Sequence, residues 1–201
     1  SAMRSAESFV LSRDLSRFPA PPAGRTGWPW EAEQSVIKDD EPWPRVTIVT
    51  PSFNQARFLE ETIRSVLLQD YPNLEYIIMD GGSTDGSVEI IRKFESWLAH
   101  WVSAPDHGQS HAINNGFERA TGEIVAWINS DDTYHPGAIR AAARALGDQP
   151  HAGFVYSDCD IIDEDSRITG AFTIPRRSLA EMLTEGNGIA QPTLFIRRNA
   201  L

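Results

Sequence analysis

The chain has a single cysteine, Cys159, among its 201 residues. A disulfide framework within the chain is excluded, and a reducing compartment fits. A lone cysteine beside a strand reads as a small packing residue rather than a nucleophile. Basic residues are scarce too: 18 Lys and Arg stand against 28 Asp and Glu, for a net charge of −10. That balance speaks against nucleic acid or an anionic membrane as the main partner. No apolar run reaches the length of a membrane span, and no secretory h-region is recognisable. Also missing are the phosphate-cradling GxxxxGK[ST], the dinucleotide GxGxxG and the nucleophile elbow GxSxG.

Ser1-Ala2-Met3 reads as a tag remnant before an initiator Met. The end at Arg197-Arg198-Asn199-Ala200-Leu201 follows an apolar run closely, so a C-terminal truncation is expected. Residues 1–44 are read as this remnant plus an arm, and 45–201 as the folded domain. The arm holds Pro19, Pro21, Pro22, Pro29, Pro42 and Pro44, with Trp28, Trp30 and Trp43 between them. Such a segment is neither a long helix nor a central strand. It is too apolar for a simple linker, so an irregular arm packing its indoles on the domain is expected. Residues 6–15 are predicted to form a short helix.

Regular alternation begins at Val46. Residues 46–50 form a buried strand, and 51–55 a polar turn. Phe58, Ile63, Val66 and Leu67 then fall at helical spacing, with Glu60, Glu61 and Arg64 on the other face. A second apolar run, 74–79, ends in the acidic loop Asp80-Gly81-Gly82-Ser83-Thr84-Asp85-Gly86-Ser87. Capping of the following helix is expected from Ser83, Thr84 or Asp85. A short third strand at 101–103, a helix at 109–120, a strand at 123–128 and a helix at 138–146 follow, with Gly147 as cap. Further strands are expected at 154–156, at 168–174 and at 193–196, with a short helix at 178–183. Four successive βα units imply a mainly parallel sheet sandwiched between helices. In such a sheet the loops after the strands crowd one edge, where ligands bind.

Four polar strand tips therefore share one crevice: 51–55, 80–85, 106–109 and 129–132. Asn129-Ser130-Asp131-Asp132 sets two adjacent carboxylates at a tip. Their repulsion is offset by a cation or by solvent, and as a cation Mg²⁺ or Mn²⁺ takes one or two carboxylates and completes its shell with phosphate oxygens and water. The other reading is a turn that caps the helix at Pro136. In Asp106-His107-Gly108-Gln109-Ser110-His111 the two histidines stand four apart, but no acidic third ligand follows and a zinc site is not expected. Asp158, Asp160, Asp163, Glu164 and Asp165 form a second acidic cluster. It lacks the glycine and the terminal glutamate of a calcium loop, and reads as a solvated strand edge and turn.

These motifs in order, with Thr50-Pro51-Ser52-Phe53-Asn54 and Gln191-Pro192-Thr193-Leu194-Phe195, resemble a family 2 glycosyltransferase of the bacterial polysaccharide type. The resemblance covers about 45–201 and implies an α/β GT-A (Rossmann-like) fold. It implies transfer of a sugar from a nucleotide sugar, usually UDP-linked, to a saccharide or lipid-linked acceptor. It further implies that Pro51, Ser52 and Asn54 line the nucleotide pocket and that Asp80 accepts the base N3–H. Gly82 and Ser83 lie beside base or ribose, and Asp106 and Gln109 along the nucleotide. Asp131 is the chief ligand of a divalent metal, with Asp132 beside it and Asn129 as a donor-site auxiliary.

Three positions depart from the family pattern. Asn129 replaces an aspartate, His111 stands where aspartate is frequent, and Asn115 where Lys or Arg is frequent. An inverting transfer needs a carboxylate base facing the acceptor. The resemblance places it beyond Leu201, leaving Glu185 as a weak substitute, so nucleotide binding with little transfer is expected. A cytoplasmic location is expected, at the cytoplasmic face of a membrane if the full-length protein associates with one. The competing readings are a non-catalytic nucleotide-sugar-binding module and a sugar nucleotidyltransferase. The second would want a glycine- and Arg/Lys-rich signature after the first strand, which 51–55 lacks.

Overall fold

The computed structural model describes residues 17–32, 42–174, 181 and 188–201. The short helices expected at 6–15 and 178–183, and Glu185, lie wholly or almost wholly outside them. The sheet grows from β1 (Val46–Ser52), whose seven residues are all buried, as in a strand covered on both faces. β2 (Leu74–Asp80) and β4 (Ile124–Trp127) flank it in parallel, and β3 (His100–Ser103) extends the β2 edge, also in parallel. Beyond β4 comes β8 (Phe195–Arg197), antiparallel, and then β5 (Phe154–Val155). The order is β3-β2-β1-β4-β8-β5. β6 (Cys159–Ile162) and β7 (Ile168–Phe172) form a separate two-stranded sheet. The last strand thus begins later than its sequence suggested, because Gln191–Thr193 is a 3₁₀ turn.

Alternate residues of β1 point to opposite faces. Val46 and Ile48 join the larger core with Leu59, Ile63 and Val66 of α1 (Ala56–Leu67), Ile91 of α2 (Ser87–Lys93) and Ile139 of α4 (Ala138–Asp148). Val49 faces the other way, with Ile77, Met79 and Ala112 of α3 (Gln109–Arg119). α3 lies very close to β1: a Cβ on Gly116 would sit 2.4 Å from Val49 Cγ1.

One expectation is corrected: Gly147 does not cap α4, which continues through it to Asp148. On the polar face of α1, Glu60, Glu61 and Arg64 are all buried. Residues before the sheet cover Arg64. Arg64 donates to Pro19 O and Ala20 O, and its guanidinium lies against Phe18, Trp30 and Phe94. Trp28 Nε1 donates to Tyr134 O at 2.7 Å, and Trp43 packs edge-on against Tyr71.

Candidate active site

β1 and β2 end in register, Ser52 opposite Asp80. Just beyond, the chain needs backbone that few residues adopt: Asn54 has φ 53° and Gly82 φ 86°. The Asp80 carboxylate organises this turn. Its Oδ2 accepts from Gly82 N, Ser83 N and Ser103 Oγ, and its Oδ1 from Ser83 Oγ. Ser83 Oγ accepts from Asn54 N, and Asn54 Oδ1 from Thr84 N. Asp85 links two helices: Oδ1 accepts from Ser87 N and Oγ, and Oδ2 from Ala56 N, the first residue of α1. Burial works to raise the Asp85 carboxyl, but these hydrogen bonds outweigh it and hold it below the usual range. The N-cap position of α2 falls to Gly86 rather than to Ser83, Thr84 or Asp85; Asp85, one residue earlier, accepts from the first N–H of both α1 and α2.

Across the crevice, Asp106 Oδ1 accepts from Gly108 N at 2.7 Å. Gln109 Nε2 donates to Asn129 Oδ1 at 2.6 Å, tying α3 to the β4 tip. Asn129 Nδ2 in turn donates to Asp132 Oδ2 at 3.3 Å. Burial, then the adjacent Asp131 charge, push the Asp132 carboxyl up against the opposing Asn129 contact. This is the like-charge strain that the sequence implied.

These tips enclose a cleft of about 710 Å³. Pro51, Ser52, Gly82, Asp106, Gln109, Asn129 and Asp131 line it. Asn54, Asp80 and Ser83 lie outside this lining in one hydrogen-bonded network, in which Asn54 is exposed and Asp80 is buried behind the wall at 2% exposure. Asp132 lies outside the lining and borders two neighbouring clefts instead. Phe53, 61% exposed on the cleft wall, was read only as part of a polar turn. Its ring offers a face on which a base can stack. Ser52 Oγ is buried in this lining with no hydrogen-bond partner among the described residues.

A second set of residues was missed entirely. Thr62 Oγ1 donates to Asp132 O, and Ser65 Oγ accepts from Tyr134 N. Gln69 Nε2 donates to His135 O, while its Oε1 accepts from Ile139 N. One edge of α1, with Gln69 just past its end, therefore latches the loop after β4 and the first turn of α4 at four points. The periodicity of α1 carried no sign of it, since three polar residues on a helix read equally well as solvated.

Among the described residues no group of three His, Cys, Asp or Glu is arranged to hold a metal. The donor set still fits a hard divalent ion. Asp131 accepts no hydrogen bond among the described residues, and such an ion needs only one or two carboxylates when phosphate completes its shell. His107, just before α3, and His111 in its first turn are exposed and meet with tilted rings, their centroids 5.0 Å apart. The acidic turn at 163–166 closes on itself, Asp163 Oδ1 accepting from Asp165 N and Arg167 N. Burial, then the charges of Asp132, Asp160 and Asp158, push the Cys159 thiol up, away from nucleophilic use.

Residues 47–201 match the family described as Glycosyl transferase family 2. The chain belongs to the family 2 glycosyltransferases. An uncharacterized glycosyltransferase of Nostoc sp. is 31% identical over 126 residues, 61% of this chain and 39% of its own length. The mannosyltransferase PcManGT from Pyrobaculum calidifontis, solved in complex with GDP-Man and Mn²⁺, is 28% identical. The match covers 62% of this chain and 40% of that one, with a TM-score of 0.53. TarS of S. aureus, solved with UDP-GlcNAc, shares the fold at 21% identity and a TM-score of 0.60, over 77% of this chain and 45% of that one. The chain spans about two-fifths of the length of the curated relatives it matches. The expected GT-A fold and membership of the glycosyltransferase family are thereby established. No helix among the described residues is long and apolar enough to cross a membrane.

Proposed function

We propose that the 710 Å³ cleft binds a nucleoside-diphosphate sugar, with UDP as the carrier, and that a divalent cation enters with it at Asp131. One observation supports this above the others. Among the described residues the cleft lining holds two carboxylates, Asp106 and Asp131, and no Lys, Arg or His. A diphosphate meets no cation among these lining residues, and a divalent metal is the group that would balance its charge. Asn115, where the family frequently has a basic residue, sharpens that need.

The residues divide the work. Asp80, buried behind the wall, holds the turn that sets Gly82 into the cleft lining. Ser52 supplies an unused hydroxyl, and Phe53 a stacking face. Gly82 must stay small, since a Cβ would meet Pro105 N at 3.2 Å. Asp106 and Gln109 run along the nucleotide, and Asn129 orients Gln109 and Asp132. Asp131, supported by Asp132, holds Mg²⁺ or Mn²⁺. When bound, that ion offsets charge developing on the leaving diphosphate. Transfer to a saccharide or lipid-linked acceptor is the reaction this donor site would serve. Neutral Asn129 in place of a carboxylate favours one alternative, a module that binds the nucleotide sugar without chemistry.

Calorimetry with UDP, GDP and dTDP, with and without Mn²⁺, tests the reading. The expected result is metal-dependent binding of UDP, abolished by Asp131→Ala. GDP is the comparison that the mannosyltransferase relative makes necessary. Equal, metal-independent binding of all three would overturn the proposal.

A further inference from the structure

Residues 17–32 lie before the stretch 47–201 that matches the family, yet they reach the loop that carries Asp131. They are pinned to α1 at one point and touch that loop at another. The pin is Arg64, which donates to Pro19 O and Ala20 O and lies against Phe18 and Trp30. Phe18 packs in turn on Phe94 and Trp97, with ring centroids 5.4 and 5.3 Å away. The second point is Trp28, whose Nε1 donates to Tyr134 O at 2.7 Å. The turn that presents this indole is closed on itself. Trp30 N and Glu31 N both donate to Gly27 O, and Gly27 N donates to Glu31 Oε2. Pro29 and Trp30, next along the chain, are buried. Tyr134 stands three residues after Asp131. Its N–H donates to Ser65 Oγ, while Thr62 and Gln69 hold the carbonyls of Asp132 and His135. Among the described residues, Trp28 is the one side-chain donor to these carbonyls that comes from outside 47–201.

We propose that Trp28 is a positioning residue of the donor site. Its N–H fixes the Tyr134 carbonyl, and with it the loop that presents Asp131 to the metal. The inference rests on the donor-cleft reading above. Adjacent carboxylates repel each other until a cation arrives, so a contact that holds their loop in place beforehand favours metal binding. An indole N–H suits that task, because it donates only and does not itself ligate a cation. A phenyl ring could fill the same space but could not hold the carbonyl. A neutral hydrogen bond of this kind shifts an equilibrium by about three- to tenfold. The coupling is reciprocal. If Trp28 strengthens metal binding at the loop, bound metal must hold residues 17–32 more firmly against the domain.

The test uses the 201-residue chain. Trp28→Phe keeps an aromatic ring and loses the N–H. By calorimetry, the gain in UDP affinity on adding Mn²⁺ should fall about three- to tenfold, while UDP affinity without metal stays unchanged. Tyr71→Phe is the control. It deletes a comparable hydrogen bond, from Tyr71 Oη to Pro44 O at 2.7 Å, at the start of β1 and away from the strand tips. It should leave the Mn²⁺ gain intact. In the wild type, UDP with Mn²⁺ should slow trypsin cleavage after Arg25 by about three- to tenfold, since cleavage follows the population of the released form. Trp28→Phe should lose most of that protection. An unchanged Mn²⁺ gain in Trp28→Phe, an equal loss in Tyr71→Phe, or no protection of Arg25 in a chain shown to bind UDP with Mn²⁺ would each overturn the inference. A wild type without metal-dependent UDP binding would instead remove the donor-cleft reading on which it stands.

Discussion

At the scale of the residue, single carboxylates have quite different duties within one loop. Asp80 and Asp85 stand five positions apart at the tip of β2, and the alternation of apolar and polar segments located both. The partition between them was not legible, because it depends on which backbone N–H groups the fold brings near. Asp85 reaches Ala56, which is 29 positions away. Losing it strips the first N–H of two helices of its acceptor, so Asp85→Ala should cost about 1–2 kcal/mol in urea unfolding. The sign of the pH dependence follows from its depressed carboxyl. Its contribution is complete above the unfolded carboxylate value, about 3.9, and is lost as pH falls through the lower folded one. The stability gap between wild type and Asp85→Ala should therefore hold from pH 7 to about 5 and narrow toward pH 3.

At the scale of the element, α1 explains why half of the site was readable and half was not. The strand tips bear polar residues after apolar runs, a local signal. The latch of Thr62, Ser65 and Gln69 is a property of where α1 lies against the loop after β4, and no local pattern encodes that. Gln69 is buried and touches Ser65, His135 and Ile139. Gln69→Ala should lower stability by about 1–3 kcal/mol. It should also weaken Mn²⁺-supported UDP binding by about 10–100-fold, as loss of a supporting contact to a metal loop does. Calorimetry without metal separates the cases, since a merely structural role would leave the metal-dependent increment intact. α3 offers a complementary check. Gly116→Ala places a Cβ 2.4 Å from Val49, and the forced shift should cost about 1–3 kcal/mol by thermal unfolding.

At the scale of the whole molecule, the sheet order joins near and far segments of the chain. The run of parallel strands was legible from four successive βα units. The insertion of β8 between β4 and β5 was not, because antiparallel pairing across about 40 residues leaves no local trace. The same holds for the burial of Arg64, which helical spacing placed only on the face of α1 opposite its apolar residues. Its side chain is 1% exposed, bonded to Glu60 and to two backbone carbonyls of residues 19 and 20. Three aromatic rings surround it, each with its centroid within 5.5 Å. Removing the guanidinium leaves Glu60 buried, with only Lys93 at 3.3 Å, itself half exposed, to balance it. Arg64→Ala should therefore cost about 3–5 kcal/mol, the range for stranding a buried charge. Arg64→Lys should recover part of that at most, because a point charge cannot bridge two carbonyls and a carboxylate as a planar fork does. Replacing Glu60 as well, in Arg64→Met with Glu60→Leu, should restore much of the loss by removing the stranded charge. The destabilised variants should also release residues 17–32 from α1. Trypsin cleavage after Arg25, whose guanidinium lies over Trp30 at 5.0 Å, should then accelerate in Arg64→Ala. An unchanged rate at matched global stability would show that Arg64 serves the core alone and does not hold that segment to α1.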